Sequence, residues 1–301
     1  MSTNQRPNIL FIMSDDHAVH AMGGVQLSGS RLIQKKTFFF DLDGCLYFGN
    51  KPAKNAKQLL EQLRTDGKNI GFITNNSREV ADEIADKLMN MGIKAYPEEI
   101  ITATEYVGKY VLDQYGPVKV KVAGSMKLQK VLEDIGHTIL VIDDKERAHT
   151  IIIGRDIQFN YLKLQRIVED VLEGAGIISA NPDMFHLGIG GKLVPETGSL
   201  VASIEAILDR EIEYVGKPAP HLYLGAMRMY ACDPEDSVMV GDNLKTDITG
   251  GNKAGMTTVW IQGEQVYDER AGSNCKPDYS VRDISELLLL YQDTRRLIAE
   301  N

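Results

Sequence analysis

Two carboxylates, Asp41 and Asp43, stand two residues apart at the end of the aromatic run Phe38-Phe39-Phe40, and Gly44 follows them. Carboxylates crowded together repel unless a cation or a shared proton compensates. A pair placed this way suits a metal-assisted nucleophile beside a general acid/base. Three more polar clusters follow: Thr74-Asn75-Asn76 after NIGFIT, Lys217 in VGKP, and Asp242-Asn243 with Asp247 after SVMVG. Taken singly, an acidic turn, an asparagine pair or a Lys-Pro loop is ordinary turn chemistry. Each cluster, however, closes a predicted strand or turn. In open α/β sheets ligands bind beyond the carboxyl ends of the strands, so one parallel sheet would gather all four clusters at a single edge.

The elements that must position these residues alternate between the two periodicities. Phe38-Phe39-Phe40 is apolar on both faces, as in a buried strand of a parallel sheet. Residues 53–65 carry Leu59, Leu60 and Leu63 at helical spacing and stop at Gly67. Residues 69–74 form a second buried strand, and a helix follows with Val80, Ile84 and Leu88 on one face, closed by Gly92. A short strand at Ile100-Ile101 leads into a helix ending near Tyr115. This rhythm predicts a Rossmann-like parallel sheet with right-handed crossovers.

After Gly116-Pro117 the pattern restarts. VKVKVA alternates like a half-exposed strand, Ser125 can cap a helix to Ile135, and residues 138–142, 149–154 and 176–180 read as strands. Residues 161–172 form an amphipathic helix between the last two. From Glu213 the first unit resumes, with a helix after Pro220, a strand at SVMVGDN, a helix over 249–254, a strand at TTVWIQ and a final helix over 284–299. The predicted organisation is an appended, non-catalytic extension over 1–33, a core over 34–116, an inserted α/β unit over 117–211, and the rest of the core over 212–301.

Composition narrows the function classes. The net charge is 33 − 42 = −9, which argues against nucleic acid or an anionic membrane as partner. An anionic substrate would then need local cations, from lysine or metal. Cys45, Cys232 and Cys275 are scattered and odd in number, which predicts reduced thiols and a cytoplasmic setting rather than a disulfide framework or zinc site. Apolar runs are short, so no membrane span or secretory signal is expected.

RPNILFIMSDDH near the start resembles the opening strand of the sulfatases, where such an acid pair helps bind a divalent metal; here the acids are Asp15 and Asp16, followed by His17. The likeness ends after about a dozen residues, and the sulfatase Cys/Ser-x-Pro-x-Arg nucleophile motif is absent. From about residue 36 onward, the ordered series DxDGxL, TNN, GKP and GDxxxTD closely resembles the haloacid dehalogenase superfamily. The large insertion between TNN and GKP is similar to the cap of its NagD-like, p-nitrophenyl phosphatase branch.

That resemblance implies a Mg²⁺-dependent phosphatase acting on small phosphorylated metabolites, such as p-nitrophenyl phosphate or sugar, glycerol, glycolate or nucleoside monophosphates. It places the nucleophile on Asp41, the general acid/base on Asp43 and a charge-compensating role on Lys217. It assigns the metal to Asp41, the Asp43 carbonyl and Asp242, supported from behind by Asn243 and Asp247. Thr74, Asn75 and Asn76 would meet the phosphoryl group or the nucleophile, and His186 in the loop over 181–190 would face substrate. Glu196 stands where relatives often have glycine, which bears on the loop's shape. A homodimer through the cap is a further expectation from the same likeness. The alternatives are a phosphotransferase or phosphomutase of the superfamily, and a non-catalytic phosphate-binding regulatory protein.

Overall fold

The computed structural model describes residues 31–187, 192–265 and 275–299. Asp15, Asp16 and His17 lie outside the described residues. By backbone contacts the chain divides into a large unit, Lys35–Leu288, and a small one made of residues 1–34 and 289–301.

The first half of the large unit supplies β1 (Thr37–Phe40), the short pair β2 (Tyr47–Phe48) and β3 (Lys51–Pro52), α1 (Ala56–Thr65), β4 (Asn69–Thr74), α2 (Ala81–Asn90), β5 (Ile100–Thr102) and α3 (Ala103–Tyr115). The stretch after Gly116 adds β6 (Lys119–Ala123), α4 (Met126–Asp134), β7 (Thr138–Leu140), β8 (Thr150–Ile153), α5 (Tyr161–Leu172) and β9 (Gly176–Ser179). A hairpin of β10 (Phe185–Leu187) and β11 (Leu193–Pro195) then leads into α6 (Thr197–Leu208). The chain closes with α7 (Pro220–Tyr230), β12 (Ser237–Gly241), a π-type turn (Leu244–Ile248), α8 (Thr249–Lys253), β13 (Thr257–Ile261), β14 (Tyr279–Val281) and α9 (Ile284–Ala299).

Two parallel sheets result. The larger has six strands in the order β14-β13-β12-β1-β4-β5, with β1 at its centre. Its apolar strands are buried on both faces, as parallel sheets covered by helices must be. The smaller runs β7-β6-β8-β9. Alternation along β8 divides its burial: Ile152 joins a core with Phe39, Val107 and Leu132, while Ile151 and Ile153 join another with Ile167, Val171 and Ile204.

Two expectations need correction here. β6 is not half-exposed: its pattern is buried from Val120 onward, and Lys121 is fully buried. The lysine is tolerated there because its ammonium pairs with Asp170 of α5 at 2.7 Å and donates to the Asp144 carbonyl at 2.7 Å. The segment over 181–190 is not only a loop, since Phe185–Leu187 pairs antiparallel with Leu193–Pro195; residues 188–190 lie outside the described residues.

Removing one partner of a buried ion pair costs about 3–5 kcal/mol, because the other charge stays uncompensated, whereas apolar replacement of both is often neutral. Asp170→Ala is therefore expected to lower unfolding stability by about that amount, and the double change Lys121→Met, Asp170→Leu to recover most of it. Denaturant midpoints check this, and equal losses for the single and double variants would contradict it.

Candidate active site

The polar clusters singled out in the sequence sit at the carboxyl ends of the central strands. Phe40 is in register with Val240 and Phe72, and the next amide, that of Asp41, continues the ladder by donating to Val240 O at 2.8 Å. Asp41, Thr74 and Asp242 therefore emerge at one edge. Gly44 lets the turn after β1 pass close to Asp242: it has φ +90°, and a Cβ there would lie 2.5 Å from the Asp242 carboxylate.

Lys217 arrives by a different route from the one its sequence position suggests. Its segment pairs with the end of β9, in the smaller sheet: Tyr214 bridges Ser179, Val215 N donates to Ser179 O at 3.1 Å, and Gly216 N donates to Ala180 O at 2.9 Å. Asn75 clamps the same backbone from the larger sheet. Its Oδ1 accepts from Lys217 N at 2.7 Å and its Nδ2 donates to Lys217 O at 3.0 Å. A Cβ on Gly216 would lie 2.7 Å from that Asn75 oxygen, so the clamp needs glycine there.

The Lys217 ammonium is buried and has three acceptors. It donates to Asp41 Oδ1, to Asp247 Oδ1 at 2.6 Å and to Ile73 O at 3.1 Å. Asp247 is oriented by its turn: its Oδ2 accepts from Asn243 N at 3.0 Å, while Tyr223 OH donates to Thr246 O at 3.0 Å. Carboxylate oxygens of Asp41, Asp242 and Asp247 lie within 4.8 Å of one another and could hold a metal ion.

The charges here do not balance. Burial pushes Asp41 well above the usual carboxylate range; Lys217 opposes the rise, and the charges of Asp247 and Asp242 add to it. Burial, with help from Asp247, raises Asp242 to about 7. Burial works against a charged Lys217, but Asp247 and Asp41 outweigh it and hold its pKa well above the ordinary value. One ammonium among three crowded carboxylates leaves negative charge uncompensated, so this donor set fits an additional hard cation with oxygen ligands.

All the site residues expected from sequence line one cavity of about 260 Å³. Several act differently within it. Asp247 has a carboxylate oxygen within reach of the acidic cluster, where the sequence put it only behind the metal; the Asp43 side chain, expected as acid/base and not as a side-chain ligand, is exposed. The Asn76 amide is engaged in its own turn: Oδ1 accepts from Arg78 N and Glu79 N at 2.8 and 2.9 Å, and Nδ2 donates to Glu79 Oε2 at 2.6 Å. The Asn243 side chain likewise caps the π-type turn through Lys245 N at 2.9 Å. Thr74 Oγ1 accepts from Asn76 N at 3.1 Å.

His186 Nδ1 lies 2.6 Å from Glu196 Oε1 but off the axis of a hydrogen bond. Sequence reasoning missed Arg78, Lys87, Asp183 and the cavity-facing position of Glu196. Asp183 accepts from Asn75 Nδ2 at 3.1 Å, and burial raises it to about 6 against the pull of that bond and of Lys217. The polar loop around Asn181 was its one sequence signal.

Comparison with known proteins accords with this geometry. The profile of haloacid dehalogenase-like hydrolases matches residues 38–138, and a HAD-hydrolase-like profile matches 214–287. An acid sugar phosphatase of Staphylococcus aureus is 32% identical over 256 residues, 85% of this chain and 97% of that protein. Among solved structures, the 4-nitrophenylphosphatase of Thermotoga maritima superposes with a TM-score of 0.79 at 29% identity, covering 87% of this chain and 99% of the other. The glycerol phosphate phosphatase of Mycobacterium tuberculosis, solved in complex with magnesium, gives 0.77 at 27% identity, covering 87% and 78%. The chain belongs to the haloacid dehalogenase-like hydrolases, as a phosphatase of the NagD-like branch. Among the described residues no helix is long and apolar enough to cross a membrane.

The raised Asp242 pKa has a sign that can be tested. A folded-state carboxyl near pH 7 binds its proton more tightly than the unfolded chain, whose value is near the ordinary 3.8. Its contribution to stability is full below that lower value and is lost as pH rises through about 7. In the metal-free protein, the stability of wild type relative to Asp242→Asn is expected to fall between about pH 5 and pH 8. Paired thermal melts measure this, and a pH-independent difference would contradict it.

Proposed function

We propose that this chain is a Mg²⁺-dependent phosphatase of small phosphorylated metabolites, working through an aspartyl-phosphate on Asp41. The observation that carries the reading is a buried Asp41 held by Lys217 at the mouth of the central strand, with Asp43 two residues on in the same cavity. In the first step an Asp41 oxygen attacks phosphorus and the bond to the leaving oxygen breaks, while Asp43 gives that oxygen its proton. In the second, Asp43 takes a proton from water as the water oxygen attacks phosphorus, releasing inorganic phosphate and restoring the Asp41 carboxylate.

Lys217 keeps Asp41 oriented and places a fixed positive charge beside the phosphoryl oxygens. The Thr74 hydroxyl and the Asn75 backbone N–H, at the end of β4, would receive those oxygens. Asp41, Asp242 and Asp247 are the side chains that would hold Mg²⁺. When bound, the ion offsets the carboxylate charge and polarises the phosphoryl oxygens. The magnesium complex of the mycobacterial relative supports the choice of ion, and the staphylococcal and Thermotoga relatives support sugar or aryl monoesters as substrates.

Asp41→Asn is expected to abolish p-nitrophenyl phosphate hydrolysis with the circular dichroism spectrum unchanged, and Asp43→Asn to slow it by about 10²–10⁴. Wild-type turnover in the Asp41 variant would sink the reading. Free phosphate should be released one for one with the alcohol; its transfer to an added acceptor would favour a phosphotransferase instead. Mg²⁺ is expected to raise the melting temperature far more at pH 8 than at pH 5.5, because protons compete for the same oxygens below about pH 7. Equal shifts at both pH values would argue against Asp242 as a ligand.

A further inference from the structure

Asp183 is a carboxylate in a place that does not favour one. It lines the cavity that already holds Asp41, Asp242 and Asp247. Burial raises its pKa, and the charges of Glu196 and Asp247 add to the rise. Its own loop, between β9 and β10, does not need the side chain. Asp183 N donates to Asn181 Oδ1 at 3.0 Å, and Gly198 N at the start of α6 donates to Asp183 O at 2.8 Å. A Cβ on Gly198 would collide with the Pro182 carbonyl, so α6 and this loop are closely seated. The carboxylate reaches across to the other sheet instead, where it accepts from Asn75 Nδ2 at 3.1 Å.

That contact completes the Asn75 amide. A primary amide has one acceptor oxygen and two N–H donors. Asn75 Oδ1 accepts from Lys217 N at 2.7 Å, and Nδ2 serves two acceptors, Lys217 O at 3.0 Å and the Asp183 carboxylate. An ionised carboxylate can only accept, so an amide turned over would set oxygen against oxygen there. Asp183 therefore admits the one orientation that pairs with both backbone groups of Lys217. The same lysine sends its ammonium to Asp41 Oδ1 and, at 2.6 Å, to Asp247 Oδ1. The contacts run from Asp183 through Asn75 and Lys217 to Asp41 without a break.

We propose that Asp183 is a positioning residue for phosphoryl transfer: it holds the Asn75 amide in the orientation that sets Lys217, and through it the ammonium beside Asp41. It acts from the inserted unit, through Asn75, and not by contact with the substrate. This rests on the phosphatase reading above and adds to it a residue that the motifs do not mark. What the role requires of position 183 is an acceptor oxygen at the right reach, more than a charge.

The test measures kcat and KM on p-nitrophenyl phosphate with Mg²⁺ for wild type, Asp183→Asn, Asp183→Glu and Asp183→Ala. The three changes are also made in an Asn75→Ala background. Asp183→Asn keeps an acceptor oxygen at the same reach, whereas Asp183→Glu keeps the charge and moves it outward by one carbon. Asp183→Ala and Asp183→Glu are expected to lower kcat by about ten- to a hundredfold with KM nearly unchanged, and Asp183→Asn to keep most of it. In the Asn75→Ala background each change is expected to alter kcat by less than about twofold, because the group it acts through is gone. A loss that persists in full on that background overturns the inference, as does one that appears in KM with kcat intact. Wild-type kcat in Asp183→Glu and Asp183→Ala overturns it too, and so does Asp183→Asn no better than Asp183→Ala. If an alanine change fails to fold, Asp183→Asn against Asp183→Glu decides alone: retained kcat in the first and lost kcat in the second supports the role, and any other order overturns it. A wild type that leaves the ester intact overturns the phosphatase reading itself.

Discussion

The site depends on one buried ammonium. Lys217 sits among Asp41, Asp247 and the Ile73 carbonyl, away from water. A charge in that position is costly unless its partners are fixed in advance. Both sheets supply the fixing. The smaller sheet carries the Lys217 segment along the end of β9, and the larger holds the same backbone through the Asn75 amide. Asn75 O also accepts from Asn181 Nδ2 at 2.7 Å, and its Nδ2 reaches Asp183. A shift of either sheet edge would therefore move the charge that holds Asp41. On the proposed reading, this couples the residues beside the leaving group to the orientation of the nucleophile.

Much of the fold was legible because the local signals and the tertiary context agree. Residues 161–172 and 284–299 are helical over the predicted spans, and Phe38-Phe39-Phe40 is the buried central strand. Ser125 caps its helix by accepting from Leu128 N. The misses have physical causes. VKVKVA reads as alternating polar and apolar, because nothing in a local pattern says that Lys121 will meet Asp170 from a helix about fifty residues away. The Lys217 segment looks like the return of the first unit, yet its ladder partner is Ser179 of the other sheet, a pairing that periodicity does not encode.

The site was legible as an inventory more than as a geometry. Motif order picked out residues that all line one cavity, but the hydrogen bonds they make there are not written in the motifs. Asn76 and Asn243 are engaged in their own turns, while Asp247 faces the acidic cluster. Glu196 stood out only as a departure from glycine; in the folded chain it gathers basic groups from three elements. The carboxylate-rich group at the strand ends fits a hard cation with oxygen ligands.

The central claim is that Asp41 itself takes the phosphoryl group, and chemical trapping tests it most directly. The enzyme is acid-quenched while turning over p-nitrophenyl phosphate with Mg²⁺, reduced with borohydride, digested and sequenced by mass spectrometry. An acyl phosphate on Asp41 reduces to the corresponding alcohol, so the account predicts homoserine at position 41 and unmodified carboxylates at 43, 242 and 247. Reduction at a different carboxylate, or steady phosphate release with none reduced, would contradict it.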